Sequence, residues 1–248
     1  MTRILPPSSF HSSQLLRCLA DLDLLPGTEP VSDFAQGLGQ WLHFTDAIAL
    51  SSVLDAGLGA IPSQGQAQLA ETAARLATEF ERIQSFMTAS IIKSCSPGGA
   101  KSHIKWPLPI EGEVSYVPYR RFYEAHQRDM ELSVEPLRVN LRAALARATP
   151  GLRKLAELDV VMDKFLRPRE AQLLARVPML LQKRFDALYA AHLDHLSVSG
   201  QPDSPAAWMQ PDGWLASFCQ NLQTLLLAEA DLRLQPSAGL LDALLQKP

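Results

Sequence analysis

The chain has 248 residues, 23 of them Lys or Arg against 26 Asp or Glu, for a net charge of −3, and it contains three cysteines. A chain of this length buries roughly 70–75% of its extended-chain surface on folding and needs no covalent staple. The charge argues against general affinity for nucleic acid. Cys18, Cys95 and Cys219 are too few and too scattered for a metal knuckle or a disulfide frame, which predicts reduced thiols in the cytoplasm. No apolar run approaches the ~20 residues of a membrane span, and Met1 to Ser13 lacks the apolar stretch of a secretory signal. The charge is uneven. Residues 117–196 hold 14 basic and 10 acidic side chains, and the remainder holds 9 and 16, so a mildly basic middle is flanked by acidic ends.

In chain order, residues 1–11 read as a loose arm with Pro6-Pro7 opposing regular structure. Ser12-Ser13 caps a short helix bearing Leu15, Leu16, Leu19 and Leu22, which Leu25-Pro26-Gly27 ends. Ser32 or Asp33 starts a helix carrying Phe34, Leu38, Trp41 and Leu42, with Gly37 and Gly39 inside it. Thr45 or Asp46 restarts the pattern as Ile48, Leu50, Val53 and Leu54, closed by Gly57 and Gly59. Gln66 to Lys93 is the clearest long helix, with Leu69, Ala73, Leu76, Phe80, Ile83, Met87 and Ile91 in near-heptad rhythm. A Pro-, Gly- and Ser-rich linker spans 94–115. Within it Trp106 sits between extended, proline-stiffened residues, either as a docking peptide for a partner or folded back on the bundle.

From Tyr116 to Leu196 the sequence predicts three consecutive helices joined by short turns, which run antiparallel as in an up-down bundle. Pro118 suits a first turn, and the stripe Tyr119, Phe122, Tyr123, His126, Met130, Val134, Leu137, Leu141, Leu145 runs through Pro136, a bend rather than an end. Thr149-Pro150 starts the next helix, with Leu152, Leu155, Leu158, Met162 and Phe165. Arg167-Pro168 reads as a further restart, and Pro178 as a kink within the third helix. A second linker covers 197–211 and carries Trp208. Asp212 caps a helix bearing Trp214, Leu215, Phe218, Leu222, Leu225, Leu226 and Leu232, which Pro236 stops before a last short turn with Leu240 and Leu241. Glu229 falls on the apolar side and needs either solvent or a basic partner, for which the arginines of the middle helices are candidates. Alternating β-branched patterns are absent. The expected fold is all-α, an antiparallel bundle of kinked amphipathic helices with two long loops, divided as 1–93, 94–115 and 116–248 or with 12–93 sharing the last part's core.

No dinucleotide fingerprint or nucleophile elbow occurs, and Gly98-Gly99-Ala100-Lys101-Ser102 lacks the second glycine and the strand of a phosphate loop. His192 and His195 are three residues apart on one helix face, but a metal site needs more ligands, so no metal or cofactor is expected. Tyr119, Arg120, Arg121, Phe122 and Tyr123 mix aromatics and bases as single-strand binders do. The helical period sorts them, rings to the apolar face and arginines to the wet one, with Glu124 between Arg120 and Arg128 at four-residue steps.

Several blocks together carry a resemblance. They are Gln40-Trp41-Leu42 with Thr45-Asp46-Ala47-Ile48, Tyr119-Arg120 with Tyr123, and Leu155-Ala156-x-Leu158-Asp159-x-Val161. Arg169-Glu170-x-x-Leu173-Leu174-Ala175-x-Val177-Pro178 follows, and then Leu226-Leu227-Ala228-Glu229-x-Asp231-Leu232-Arg233-Leu234-Gln235-Pro236 with Gly239-Leu240-Leu241. The chain resembles an uncharacterised proteobacterial family known only as a domain of unknown function. The resemblance brings no catalytic residues. It implies genes set beside a coiled-coil inner-membrane protein similar to stator-type or energy-transducing channels and beside an OmpA-like protein, hence a cytoplasmic accessory role at an envelope machine.

The expectation is therefore a non-enzymatic cytoplasmic adaptor or assembly factor that binds a helical or coiled-coil protein, with no membrane insertion of its own and no small-molecule substrate. Its expected contact residues are Trp106, Arg120, Arg121, Glu229, Arg233, Leu240 and Leu241. One alternative is a nucleic-acid-associated regulator using the basic middle, which requires steeply salt-dependent binding. Another is an enzyme whose site assembles from His192, His195, Glu229 and Asp231, revealed by ionisable groups lining a closed cavity.

Overall fold

The computed structural model describes residues 13–24, 44–55, 65–95, 103–107, 114–200 and 202–246. The expected arm, the helix around Phe34 to Leu42 with its glycines, and the Gly57–Gly59 closure lie outside the described residues. Every regular element described is helical: α1 Gln14–Asp21, α2 Phe44–Asp55, α3 Gln66–Cys95, α4 Val117–Ala146, α5 Pro150–Leu174, α6 Val177–Ser199, a 3₁₀ turn Pro205–Ala207, and α7 Trp214–Gln246.

Local chemistry sets several ends as expected. The Ser13 hydroxyl accepts from the Leu16 N–H at 3.3 Å, and Thr149 does the same for Leu152 at 3.3 Å with Pro150 in the first turn of α5. Gly200 closes α6 in the left-handed conformation, φ 65°, which glycine adopts without strain. Gly213 precedes α7 for a different reason: a Cβ there would stand 2.1 Å from the Trp208 carbonyl oxygen, so the 205–208 turn packs against it only because it has no side chain.

The prolines depart from expectation in an instructive way. Pro136 lies within α4 as a continuous helix, as the sequence predicts. Pro168 does not restart a helix; it lies inside α5, and the break falls at Ala175–Arg176, where Pro178 occupies the first turn of α6 rather than kinking it. Pro236 does not stop α7, which continues to Gln246. A proline inside a helix costs ~3 kcal/mol or more. Burial of Leu234, Leu240, Leu241 and Leu244 on either side of Pro236 offsets that cost, at roughly 1.5–3 kcal/mol for each large apolar side chain removed from water.

That burial makes α7 the centre of the molecule. α7 packs against α1, α3, α4 and α6, and touches α5. Its buried residues include Leu215, Phe218, Leu222, Leu225, Leu226, Ala228 and Ala230, which lie on more than one face, the pattern of a helix surrounded by others. Buried residues of α1, α3, α4, α5, α6 and α7 belong to one hydrophobic cluster. α4 and α5 run antiparallel, since Glu135 meets Arg167 while Arg142, further along α4, meets Asp159, earlier on α5. α6 and α7 do likewise: Phe185 stacks on Phe218 and Tyr189 on Trp214. The Tyr116 phenol donates to the Pro178 carbonyl, tying the start of α4 to the start of α6. α2 packs on α5, where the Lys154 ammonium donates to the Leu54 carbonyl at the end of α2.

Candidate functional site

A half-open cleft of about 270 Å³ lies between α4, α5 and α7, among the described residues. Behind two of its lining residues, Gln127 and Arg233, lies Glu229, whose side chain is 0% exposed. Burying an isolated carboxylate would cost several kcal/mol, so its charge must be met in place. Oε2 accepts from the Tyr123 hydroxyl at 2.9 Å, and Oε1 accepts from Arg233 Nε at 2.9 Å and Nη2 at 2.8 Å. The Gln127 amide donates to both oxygens at 3.1 Å and to the Leu174 carbonyl at 3.0 Å, tying α4 to α7 and to the end of α5. Burial, then the neighbouring Glu229 charge, pushes the Tyr123 phenol well above its ordinary pKa, so it remains a donor. The basic partner of Glu229 is thus Arg233, one turn on along α7, rather than an arginine of the middle helices.

One wall of the cleft is an ion network. Arg138 donates to Asp159 at 2.7 Å and to Asp163 at 2.7 Å; Arg142 pairs with the same two carboxylates at 2.6 and 3.0 Å. Arg167 pairs with Asp163 at 2.8 Å and with Glu135. Three guanidinium groups therefore meet three carboxylates. Burial raises the Asp163 carboxyl, but hydrogen bonds from Arg142 and Arg167 and the charges of Arg138 and Arg167 more than reverse this and hold it below the usual range. The sequence carried a signal for this network that the stripe reading passed over: two arginines one turn apart and two aspartates one turn apart on consecutive antiparallel helices. The rest of the lining includes Glu124, Arg128, Glu131 and Glu170, with Ala171, Leu174 and Pro236.

The expected contact residues fall into different settings. Arg120 is exposed and pairs with Glu124 at 2.8 Å; Arg121 is exposed and has no ion pair among the described residues. Arg128 does not share Glu124 with Arg120; it lines the cleft. Leu240 and Leu241 are core residues, 4% and 7% exposed, and Glu229 is sealed, so these three meet their own bundle rather than an outside surface. Trp106 takes the folded-back arrangement, its ring 4.9 Å from Phe122 and 5.5 Å from Tyr119. Tyr119, Phe122 and Tyr123 are buried while Arg120 and Arg121 are exposed, as the helical period requires.

The histidines have structural settings. His192 Nε2 lies 2.9 Å from Asp203, whose same oxygen accepts from the Trp208 indole N–H at 2.8 Å, so the pair fastens the 203–208 turn to α6. That indole hydrogen bond, opposed in part by desolvation and aided by His192, holds the Asp203 carboxyl below its usual range. His195 is exposed, and Asp231 is exposed on α7; no hydrogen bond or ion pair joins either of them, or His192, to Glu229. No group of three or more His, Cys, Asp or Glu among the described residues is arranged to hold a metal ion. His126 and Ser94 form a sealed pair, 1% and 3% exposed, with Nε2 and Oγ 2.8 Å apart. Desolvation lowers the His126 pKa to about 4, with Asp129 opposing and His103 reinforcing that shift. Burial pushes the Cys95 thiol up to about 12 and raises Cys219 further, so neither is a ready nucleophile.

Fold and site together define a class: an all-α helical bundle whose polar feature is a mixed-charge cleft, with a fully buried, hydrogen-bonded carboxylate behind its lining. The chain belongs to the family described as protein of unknown function (DUF3348), whose family model matches residues 1–246. No curated protein and no solved structure matches it. No described helix is long and apolar enough to cross a membrane.

Proposed function

We propose that the protein is a non-enzymatic helical adaptor or assembly factor that binds a coiled-coil-like partner along the outer face of α4. The observation that carries this is a line of exposed apolar residues on that face. Leu132 is 74% exposed and Val139 49%, and Pro136 and Ala143 are exposed with them. Single exposed apolar residues need no account. Four at steps of four, three and four form the seam that receives a second helix in heptad register. Arg121 lies on the same line three turns earlier and makes no ion pair among the described residues, so a partner with apolar heptads and acidic residues at one end is complementary. The coiled-coil inner-membrane protein implied by the family resemblance is a partner of that kind, and it would put the adaptor on the cytoplasmic side of an envelope machine.

A photocrosslinking amino acid at position 132, tested in the native host, examines this directly, with position 160 on α5, also exposed, as control. The proposal expects crosslinks from 132, and not from 160, into one protein's heptad-repeat segment. Crosslinks to chaperones alone, or equal capture from both positions, would count against it.

A further inference from the structure

The cleft beside α4 is a second feature, sharing only the edge residue Arg128 with the line of the outer face. Most of its charges are already matched. Arg138, Arg142 and Arg167 balance Asp159, Asp163 and Glu135; Arg120 balances Glu124; Arg233 balances Glu229. Three lining groups remain without an ion pair among the described residues: Arg128, Glu131 and Glu170. Arg233 adds one more donor, because Nε and Nη2 are both directed to Glu229 and Nη1 makes no hydrogen bond among the described residues. A concave wall with unmatched charges of both signs favours a ligand that brings the opposite of each.

A purely anionic ligand would face Glu131 and Glu170, and a purely cationic one would face Arg128 and Arg233. A ligand with one carboxylate and two cationic groups meets every unmatched charge. The carboxylate takes the arginine side, where guanidinium forks bind carboxylates well, and the two cations take the two glutamates. The volume of about 270 Å³ lies just under the ~300–1,000 Å³ usual for small-ligand sites, which limits the occupant to the size of a single amino acid. We propose that this cleft binds a free basic amino acid of the arginine or lysine type, through Arg128 and Arg233 at its carboxylate and Glu131 and Glu170 at its cationic groups.

Isothermal titration of the full chain with L-arginine and L-lysine tests this. Agmatine, which lacks the carboxylate, and L-glutamate, which lacks the second cation, serve as comparisons. Saturable binding of at least one basic amino acid is expected, weaker by about tenfold or more for both comparison ligands. The variants Glu131→Gln and Glu170→Gln alter partly or fully exposed side chains and leave the buried Glu229–Arg233 pair intact. Each should weaken binding by a similar factor, while Glu157→Gln, paired with Arg153 outside the cleft, should not. Circular dichroism melts establish that the variants fold. Absence of saturable heat with both amino acids, or unchanged affinity in the Glu131→Gln, Glu170→Gln double variant, would overturn the proposal. Neither result bears on the crosslink from position 132.

Discussion

The two sides of α4 are built from opposite materials. Its dry side carries Tyr119, Met130, Leu137, Leu141 and Leu145, all at or below 4% exposure, in one hydrophobic cluster with Phe218, Leu222, Leu225 and Leu226 of α7. Toward α5 it presents Glu135, Arg138 and Arg142, which meet Asp159, Asp163 and Arg167. The apolar side is non-directional and supplies most of the free energy of folding. The charged side returns less stability for the desolvation it requires, but its geometry admits one register of α5 on α4. Glu229 is the junction, a carboxylate in the dry helix that reaches the wet wall through Tyr123 and Gln127.

Three substitutions and conditions sharpen that contrast. The largest effect is expected from Arg233→Ala, which strands a fully buried Glu229 and should cost about 3–5 kcal/mol in urea unfolding. The double replacement Glu229→Leu, Arg233→Leu should cost less than Arg233→Ala alone; a double variant that loses as much would mean the pair is a net stabiliser rather than a neutralised charge. Next, Arg138→Ala removes charge-assisted hydrogen bonds to two aspartates and should cost about 1.5–3 kcal/mol. Because the network is partly solvent-exposed, that loss should shrink in high salt. An equal loss at all ionic strengths would show that packing, not charge, joins α5 to α4. The smallest effect, taken per pH unit, is a slope from His126. Its folded pKa, near 4, lies below the ~6.5 of the unfolded chain, so between these values the unfolded chain binds the extra proton. Stability should therefore fall as pH drops from about 6.5 to about 4, by up to about 1.4 kcal/mol per pH unit. In His126→Phe this component should vanish, measured as the difference between wild-type and variant urea midpoints across that range.

The fold was legible where a stripe was long. Of the near-heptad α3 positions, Leu69, Ala73, Leu76, Ile83, Met87 and Ile91 are buried and Phe80 is half-buried against the same core, and the α4 stripe is buried through Pro136. The same logic, applied to Pro236, would have carried α7 through to Gln246, since Leu240, Leu241 and Leu244 continue its pattern. Periodicity outweighs local proline chemistry at that position. The centrality of α7 was hidden because a helix packed on several sides has a broad apolar surface that resembles an ordinary stripe read loosely. The cleft was half legible. Glu229 was marked as a carboxylate in need of a partner, and its actual partner was four residues away, at the spacing that favours a helical ion pair. The Arg138–Asp159 network joins residues 21 apart, a pairing that depends on which faces of two antiparallel helices meet, and that follows from packing rather than spacing.

The central claim is that stability resides in the dry helix pair while recognition resides on the outer face of α4. It is tested most directly by measuring two quantities on two variants: urea midpoint and crosslink yield from a probe at position 139, for Leu132→Glu and for Phe218→Ala. Leu132→Glu should keep the wild-type midpoint and lose the crosslink. Phe218→Ala should lower the midpoint by about 3–5 kcal/mol of stability and keep the crosslink under conditions where it is folded. If Leu132→Glu lowered the midpoint, or left the crosslink intact, the claim would be contradicted.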